Sequence, residues 1–171
     1  KSHALPSDYV PDDLVAIPSF PSLQIKDDAV NDFENLLAAA KLDNVYIIPY
    51  STYRSYDYQN RLYNGYLQDD PVKVVDTYSA RPGHSEHQTG LALDVRSSTH
   101  WSNLTDADYE WMLNNSYKYG FIVRYPKDNS TITGYKEEPW HLRYIGIEHA
   151  TKVHELGITY DEYYDLYLTE H

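Results

Sequence analysis

Hydrophobic and polar positions along this chain follow two periods, and each period predicts one kind of secondary structure. Apolar residues recur at three- and four-residue spacing over 29–40, which predicts an amphipathic helix that Asp27 or Asp28 can cap. Residues 91–95 alternate, which predicts a strand. Similar patterns predict further helices near 55–66, 70–78, 105–117, 147–156 and from 159, and further strands at 45–48, 121–125 and 140–145. Several helices mixed with a few short strands are typical of an α+β fold.

Residues 1–26 contain four prolines and show no clear periodicity. Proline disrupts a helix, so we expect this segment to form an extended arm that packs on the rest of the molecule. The sequence contains no internal repeat, low-complexity segment or linker, and 171 residues suit one hydrophobic core. We therefore expect a single domain over residues 1–171.

Composition excludes several classes of function. The chain has Lys+Arg 14 and Asp+Glu 26, a net charge of −12, and such a charge repels phosphate backbones, so nucleic acid is not an expected partner. It has no cysteine, which excludes disulfides, thiolate zinc sites, iron–sulfur clusters and cysteine nucleophiles. No apolar run approaches the roughly 20 residues of a membrane-spanning helix. The first residue is Lys1 rather than methionine, so we expect a processed or trimmed N-terminus with any signal or anchor upstream.

The segment 85–94 carries the first candidate for chemistry, with the sequence Ser-Glu-His-Gln-Thr-Gly-Leu-Ala-Leu-Asp. Strand alternation places Leu93 on the core side and Asp94 on the opposite side, beside the small Ala92. Gly90 allows the chain to turn, which would bring His87 back toward Asp94. Histidine and aspartate are both suitable ligands for Zn²⁺.

The segment 137–144 carries the second candidate, with the sequence Glu-Glu-Pro-Trp-His-Leu-Arg-Tyr. Glu138 precedes His141 by three residues, an offset that would put the two side chains on opposite faces of a straight strand. Pro139 lies between them and predicts a bend that can bring both to one site. Each residue alone has an ordinary structural explanation as a hydrogen-bonded or solvated group. Together, two histidines, one aspartate and a free glutamate indicate a hydrolytic zinc site with an open position for water.

Both segments resemble the signature of the VanY-type D-alanyl-D-alanine carboxypeptidases. These zinc peptidases belong to a wider group that includes lysostaphin-like enzymes and hedgehog domains. The matching patterns are Ser-x-His-x-x-Gly-x-Ala-x-Asp at 85–94 and Glu-x-x-His at 138–141, with similar segments at 4–9, 51–55, 79–83, 119–125 and 140–146. The resemblance thus covers nearly the whole chain. It implies a small, mostly antiparallel central sheet with flanking helices and one zinc ion at the sheet.

The resemblance also implies roles for individual residues. The implied zinc ligands are His87, Asp94 and His141, and the implied catalytic base is Glu138. Arg54 matches an arginine that contacts the substrate or the developing oxyanion. The other implied substrate-site residues are Gln59, Ser85 and Trp140. His84 stands where some relatives carry an aromatic residue, and the consequence of that difference is open.

The implied function is that of an extracytoplasmic, monomeric zinc carboxypeptidase that removes the C-terminal D-alanine from peptidoglycan stem peptides. Two specificities are compatible with the resemblance: a D,D-carboxypeptidase acting on the pentapeptide and an L,D-carboxypeptidase acting on the tetrapeptide. Either enzyme must recognise a terminal carboxylate, and the candidate cations near the motifs are Arg54, Arg81 and Arg143.

Two hypotheses of other classes remain open at this point. One is a non-catalytic, zinc-containing module that binds the cell wall. The other is a domain stabilised by calcium through its acidic residues. The 19 tyrosines could stack on glycans, but amphipathic packing is the favoured explanation for most of them.

Overall fold

The computed structural model describes residues 4–99 and 104–169, which form two antiparallel sheets surrounded by helices. The first three residues of the predicted arm lie outside this range. The strands are β1 (Leu14–Ile17), β2 (Phe20–Lys26), β3 (Ile47–Ser51), β4 (Ala92–Ser97), β5 (Phe121–Tyr125) and β6 (Glu138–Tyr144). The helices are α1 (Asp27–Leu42), α2 (Tyr56–Tyr66), α3 (Val72–Val75), α4 (Asp106–Asn115), α5 (Ser130–Thr133), α6 (Ile147–Leu156) and α7 (Tyr160–Tyr167), and 3₁₀ turns occupy Glu86–Thr89 and Ser116–Tyr119.

The central sheet has four strands in the order β3-β4-β6-β5, and each neighbouring pair is antiparallel. Its core side packs against α1, where Phe33 meets Phe121 of β5 edge to face with ring centroids 5.7 Å apart. Leu93 and Val95 of β4 are buried in the same cluster, as the alternation predicted. Burial of each such side chain stabilises the fold by about 1.5–3 kcal/mol. The predicted α+β fold with a small antiparallel central sheet is confirmed. Among the helices of the described ranges, none is both long and apolar enough to cross a membrane.

The prediction of an extended arm over residues 1–26 was wrong for its second half. Strands β1 and β2 form an antiparallel hairpin, with Leu14 opposite Lys26. Pro18 lies in the connecting turn, where no ladder hydrogen bond is lost. Ile17 and Ile25 are buried in the main core, so the burial of these side chains holds the hairpin in place.

Several predicted boundaries were also wrong. Strand β3 runs through Pro49 to Ser51, and α3 is a single turn rather than a helix over 70–78. Asp27 and Asp28 lie in the first turn of α1 rather than at its N-cap, which is Lys26. The predicted helix 105–117 ends at Asn115, and a 3₁₀ turn leads from it to Gly120. These differences arise at element ends, where short-range sequence signals compete with tertiary packing.

Other local signals gave correct element ends. Ser55 caps α2, because its side chain accepts a hydrogen bond from the backbone N–H of Tyr58. Thr159 and Glu162 form the reciprocal capping box at the start of α7. Gly157, with φ of 64°, ends α6 in the left-handed conformation.

Candidate metal site and its cleft

The central sheet places two of the predicted ligands directly opposite each other. Asp94 of β4 pairs with His141 of β6 in the antiparallel register. His87 comes from the 3₁₀ turn that precedes β4. These three side chains are buried, and one ligand atom from each lies within 4.8 Å of the other two. The structure therefore brings the three residues His87, Asp94 and His141 to one point.

Gly90 makes the turn that returns His87 to the sheet. Its φ is 70°, a conformation that glycine adopts without strain. A Cβ at this position would lie 2.7 Å from Leu14 Cδ2 and 3.0 Å from Lys26 Cγ. The backbone N–H of Lys26 donates to the Gly90 carbonyl at 2.9 Å. The β1–β2 hairpin thus packs directly on the turn that carries His87.

A bulge brings Glu138 to the same point. Val123 and Tyr125 of β5 pair with Leu142 and Glu138 of β6, respectively. One residue lies between the two on β5, whereas three residues lie between their partners on β6. The additional residues, which include Pro139, bend β6 and change which face its side chains occupy. Glu138 Oε2 consequently lies 3.5 Å from His141 Nδ1. The predicted bend is present, although the strand continues through it.

The donor atoms fit a bound cation. His87 Nε2 and Asp94 Oδ1 are buried and have no hydrogen-bond partner among the described residues, although they lie 3.3 Å apart. Buried polar atoms are almost always satisfied, so two unsatisfied ligand atoms facing each other indicate a missing positive group. Two imidazole nitrogens and one carboxylate form a typical catalytic zinc set with an open position. Calcium prefers six to eight oxygen ligands, so this donor set does not favour the calcium hypothesis.

Hydrogen bonds set the orientation of both imidazoles. His87 Nδ1 lies 2.7 Å from the Thr52 carbonyl oxygen, so Nδ1–H donates and Nε2 is left free for a metal. His141 Nε2 lies 3.3 Å from Glu86 Oε2, which leaves Nδ1 free in the same way. The carboxylate and the carbonyl therefore select the tautomers that a metal site requires.

The charges around this point are strongly coupled. Burial lowers the pKa of His87. Burial also disfavours the charged form of His141, but the nearby carboxylates of Asp94 and Glu86 outweigh that effect and raise its pKa to about 9. Burial, with the nearby charges of Asp94 and Glu86, raises the pKa of Glu138 to about 7. A cation at the three donors would replace the proton on His141 and favour the ionised form of Glu138.

Arg54 is held against the metal-binding carboxylate. Its Nη2 donates to Asp94 Oδ2 at 3.0 Å, and its Nη1 donates to Gln59 Oε1 at 3.2 Å. Gln59 Nε2 donates in turn to the Ala80 carbonyl at 2.8 Å. The Arg54 Nε is buried without a hydrogen-bond partner among the described residues. Gln59 and Asp94 therefore position the arginine.

A cleft of about 580 Å³ opens over these groups. All eight site residues predicted from the sequence line it: Arg54, Gln59, Ser85, His87, Asp94, Glu138, Trp140 and His141. The other two candidate cations do not. Arg81 pairs with Asp76 and lines a smaller neighbouring pocket that also contains His84. Arg143 Nη1 lies 3.5 Å from Glu86 Oε1, behind the site.

The sequence interpretation missed two groups of residues. Glu86 lies within the first motif, but its contacts to His141 and Arg124 join distant parts of the chain and have no local sequence signal. The cleft also contains six tyrosines, which are Tyr50, Tyr58, Tyr66, Tyr78, Tyr125 and Tyr135. For Glu86, the sequence shows only that it directly precedes His87. That position does not by itself indicate a contact with His141.

The sequence is similar to one protein family and to several known proteins. The family model described as VanY, D-alanyl-D-alanine carboxypeptidase, matches residues 22–147. The putative carboxypeptidase YodJ of Bacillus subtilis (strain 168) is 37% identical over 178 residues, which cover 96% of this chain and 65% of that protein. A D-alanyl-D-alanine carboxypeptidase of Enterococcus faecalis (strain ATCC 700802 / V583) is 40% identical over 139 residues, which cover 76% of this chain and 52% of that protein. The chain thus spans about half to two thirds of these relatives.

Solved structures show the same similarity. The LdcB LD-carboxypeptidase has a TM-score of 0.84 and 36% identity, covering 95% of this chain and 81% of that one. VanYB in complex with D-alanine-D-alanine has a TM-score of 0.84 and 34% identity, covering 98% and 95%. A vancomycin resistance D,D-pentapeptidase VanY in complex with Zn(II) has a TM-score of 0.82 and 35% identity, covering 95% and 94%.

Proposed function

Since the chain belongs to the VanY family of D-alanyl-D-alanine carboxypeptidases, we propose that it is a zinc-dependent carboxypeptidase that removes the C-terminal D-alanine from peptidoglycan stem peptides. The observation that carries this proposal is the convergence of three buried ligand atoms with Glu138 and Arg54 in one cleft. We also propose that it acts outside the cytoplasm, because its substrate would lie in the cell envelope. We propose further that it acts as a monomer.

We propose that one zinc ion is held by His87, Asp94 and His141. A bound zinc supplies a Lewis acid that polarises the scissile carbonyl and lowers the pKa of water. Thr52 and Glu86 hold the two imidazoles in the tautomers that leave Nε2 of His87 and Nδ1 of His141 as ligand atoms.

Glu138 is the proposed general base. Its carboxylate lies beside His141 Nδ1 and lines the cleft, so it can accept a proton from the attacking water. The hydroxide oxygen adds to the carbonyl carbon, the C–N bond breaks, and Glu138 returns the proton to the leaving amine of D-alanine. A non-catalytic wall-binding module has no use for a free carboxylate at this position, so Glu138 favours catalysis over that alternative.

Arg54 is the proposed source of positive charge for the substrate. Asp94 and Gln59 hold its guanidinium at the edge of the site, and the side chain lines the cleft. Such a fixed cation can bind a developing oxyanion or the terminal carboxylate of the peptide. Among the three candidate arginines, Arg54 is the one that lines the cleft.

An L,D-carboxypeptidase is the second candidate function, because LdcB and VanYB match this chain with the same TM-score of 0.84. Incubation with the stem pentapeptide and, separately, the tetrapeptide distinguishes them, with mass spectrometry of the products. Loss of D-alanine from the pentapeptide supports the leading proposal, and loss from the tetrapeptide supports the alternative. Release of D-alanine from neither peptide by the zinc-loaded protein would contradict the carboxypeptidase proposal.

A further inference from the structure

Glu86 links the metal site to charged residues behind it. Its side chain is 16% exposed, and Oε2 lies 3.3 Å from His141 Nε2. The other oxygen, Oε1, accepts from Arg124 Nε at 2.8 Å and lies 3.5 Å from Arg143 Nη1. Both carboxylate oxygens are therefore engaged, one toward the imidazole and one toward the guanidinium groups.

Arg124 extends this contact to the C-terminal helix. Its Nη1 and Nη2 donate to the two carboxylate oxygens of Asp161 at 2.6 and 3.1 Å. The guanidinium also lies over the ring of Tyr125, 4.9 Å from the centroid, and over that of Tyr160 at 5.4 Å. Arg124 is buried, and its planar guanidinium donates to Glu86 on one side and to Asp161 on the other. It therefore has little freedom to move.

The start of α7 holds Asp161 in place. The capping box of Thr159 and Glu162 determines where the helix begins, and Asp161 lies in its first turn. A carboxylate is favoured there by the helix dipole. Helix α7 lies beyond residue 147, where the family match ends. The anchor of this network therefore comes from a part of the chain that the family motifs do not include.

We propose that Glu86 is a positioning residue for His141, and that Arg124 and Asp161 hold Glu86, so that helix α7 contributes to the affinity of the metal site. The inference rests on the zinc site of the proposed function. A histidine ligand whose second nitrogen donates to a fixed carboxylate keeps one tautomer and one ring orientation, and it is a more basic ligand. If the carboxylate moves, His141 gains rotational freedom and the free energy of metal binding falls.

A purely structural role is the competing explanation. In that case the network only attaches α7 to the domain, and its loss lowers the stability of the metal-free protein without changing metal affinity. Two measurements distinguish the roles. A positioning role raises the zinc dissociation constant, whereas a purely structural role lowers the unfolding temperature of the metal-free chain and leaves the dissociation constant unchanged.

The experiment compares Glu86→Gln and Asp161→Asn with Asp165→Asn as a matched control. Asp165 is on the same helix but exposed. Zinc dissociation constants are measured by competition with a chromogenic chelator, and the Co²⁺-substituted proteins are compared by their absorption spectra. We expect Glu86→Gln to raise the dissociation constant roughly 10- to 100-fold and Asp161→Asn roughly three- to tenfold, with Asp165→Asn within about twofold of the parent chain. A shift of the Co²⁺ bands should accompany the first two variants and not the control.

The double variant Glu86→Gln/Asp161→Asn tests the direction of the network. Because Asp161 acts through Glu86, we expect the double variant to bind zinc no more weakly than Glu86→Gln alone. Additive losses would overturn that part of the proposal. If Glu86→Gln does not fold, the comparison of Asp161→Asn with Asp165→Asn still decides the outcome.

The whole inference is overturned if the folded variants bind zinc like the parent chain while the unfolding temperature of Asp161→Asn falls. Failure of the proposed function would look different. In that case the parent chain binds zinc with the expected dependence on Glu86 and Asp161 but releases no D-alanine from either stem peptide.

Discussion

Asp94 Oδ1 lies 3.3 Å from His141 Nδ1 across neighbouring strands, and the same oxygen lies 3.3 Å from His87 Nε2. One carboxylate oxygen thus faces two imidazole nitrogens in a buried position. This arrangement is costly without a positive charge among the three groups, because it leaves buried polar atoms unsatisfied. Despite burial, the nearby carboxylates of Asp94 and Glu86 raise the pKa of His141 to about 9, which favours a proton there in the metal-free chain, and bound zinc would supply the charge in its place.

Metal removal should therefore abolish activity and lower stability. After dialysis against a chelator, we expect no release of D-alanine, and recovery on addition of one equivalent of Zn²⁺ but not of Ca²⁺. Bound zinc stabilises the folded state by mass action, by about 4 kcal/mol when free zinc exceeds the dissociation constant a thousandfold. Metal analysis and thermal unfolding with and without zinc test both statements. Recovery with calcium alone would contradict the assigned donor set.

Replacement of Glu138 by alanine should separate metal binding from turnover. The three proposed ligands remain, so the zinc content should stay near one per chain. Loss of the general base should lower kcat by about 10²–10⁴-fold. The matched control is Glu148→Ala on α6, which removes an exposed carboxylate paired with Lys152 and should leave kcat unchanged. A fully active Glu138→Ala variant would refute the proposed mechanism.

Substitution Arg54→Lys should reduce kcat/KM by about 10²–10³-fold. Lysine keeps the positive charge, but it lacks the planar group with which arginine contacts Asp94 and Gln59 and still presents a further donor to the substrate. Arg81→Lys provides the comparison. Arg81 is more than half exposed and pairs with Asp76 outside the cleft, so its replacement should change kcat/KM by no more than about twofold. The opposite ranking of the two variants would assign carboxylate recognition to Arg81.

Two glycine substitutions should have opposite effects on stability. Gly90→Ala places a Cβ against Leu14 and Lys26 at a φ of 70°, so we expect a loss of about 1–3 kcal/mol in the free energy of unfolding. Gly65→Ala in α2 meets no atom within 4 Å and should stabilise the protein by about 0.5–1 kcal/mol. Chemical denaturation of both variants checks the prediction. Similar behaviour of the two would mean that the β1–β2 hairpin does not pack tightly on the His87 turn.

Local signals explain why much of the fold was predictable. The Thr159 capping box, the glycine after α6 and the alternation at 91–95 depend on residues within a few positions of each other, so the sequence shows them directly. The two motifs and the family resemblance together named eight candidate site residues, and all eight line the cleft.

The sequence by itself determined the α+β class and most helix and strand positions, which depend on local periodicity, and it named the candidate site residues through the motifs and the family that they resemble. Only the tertiary structure decided the hairpin at 14–26 and the contacts that join Glu86 through Arg124 to Asp161. Each of these depends on which distant side chains share a buried volume. Residues 86, 124 and 161 lie far apart in the sequence, and the burial of charge that forces them to pair exists only once the chain has folded.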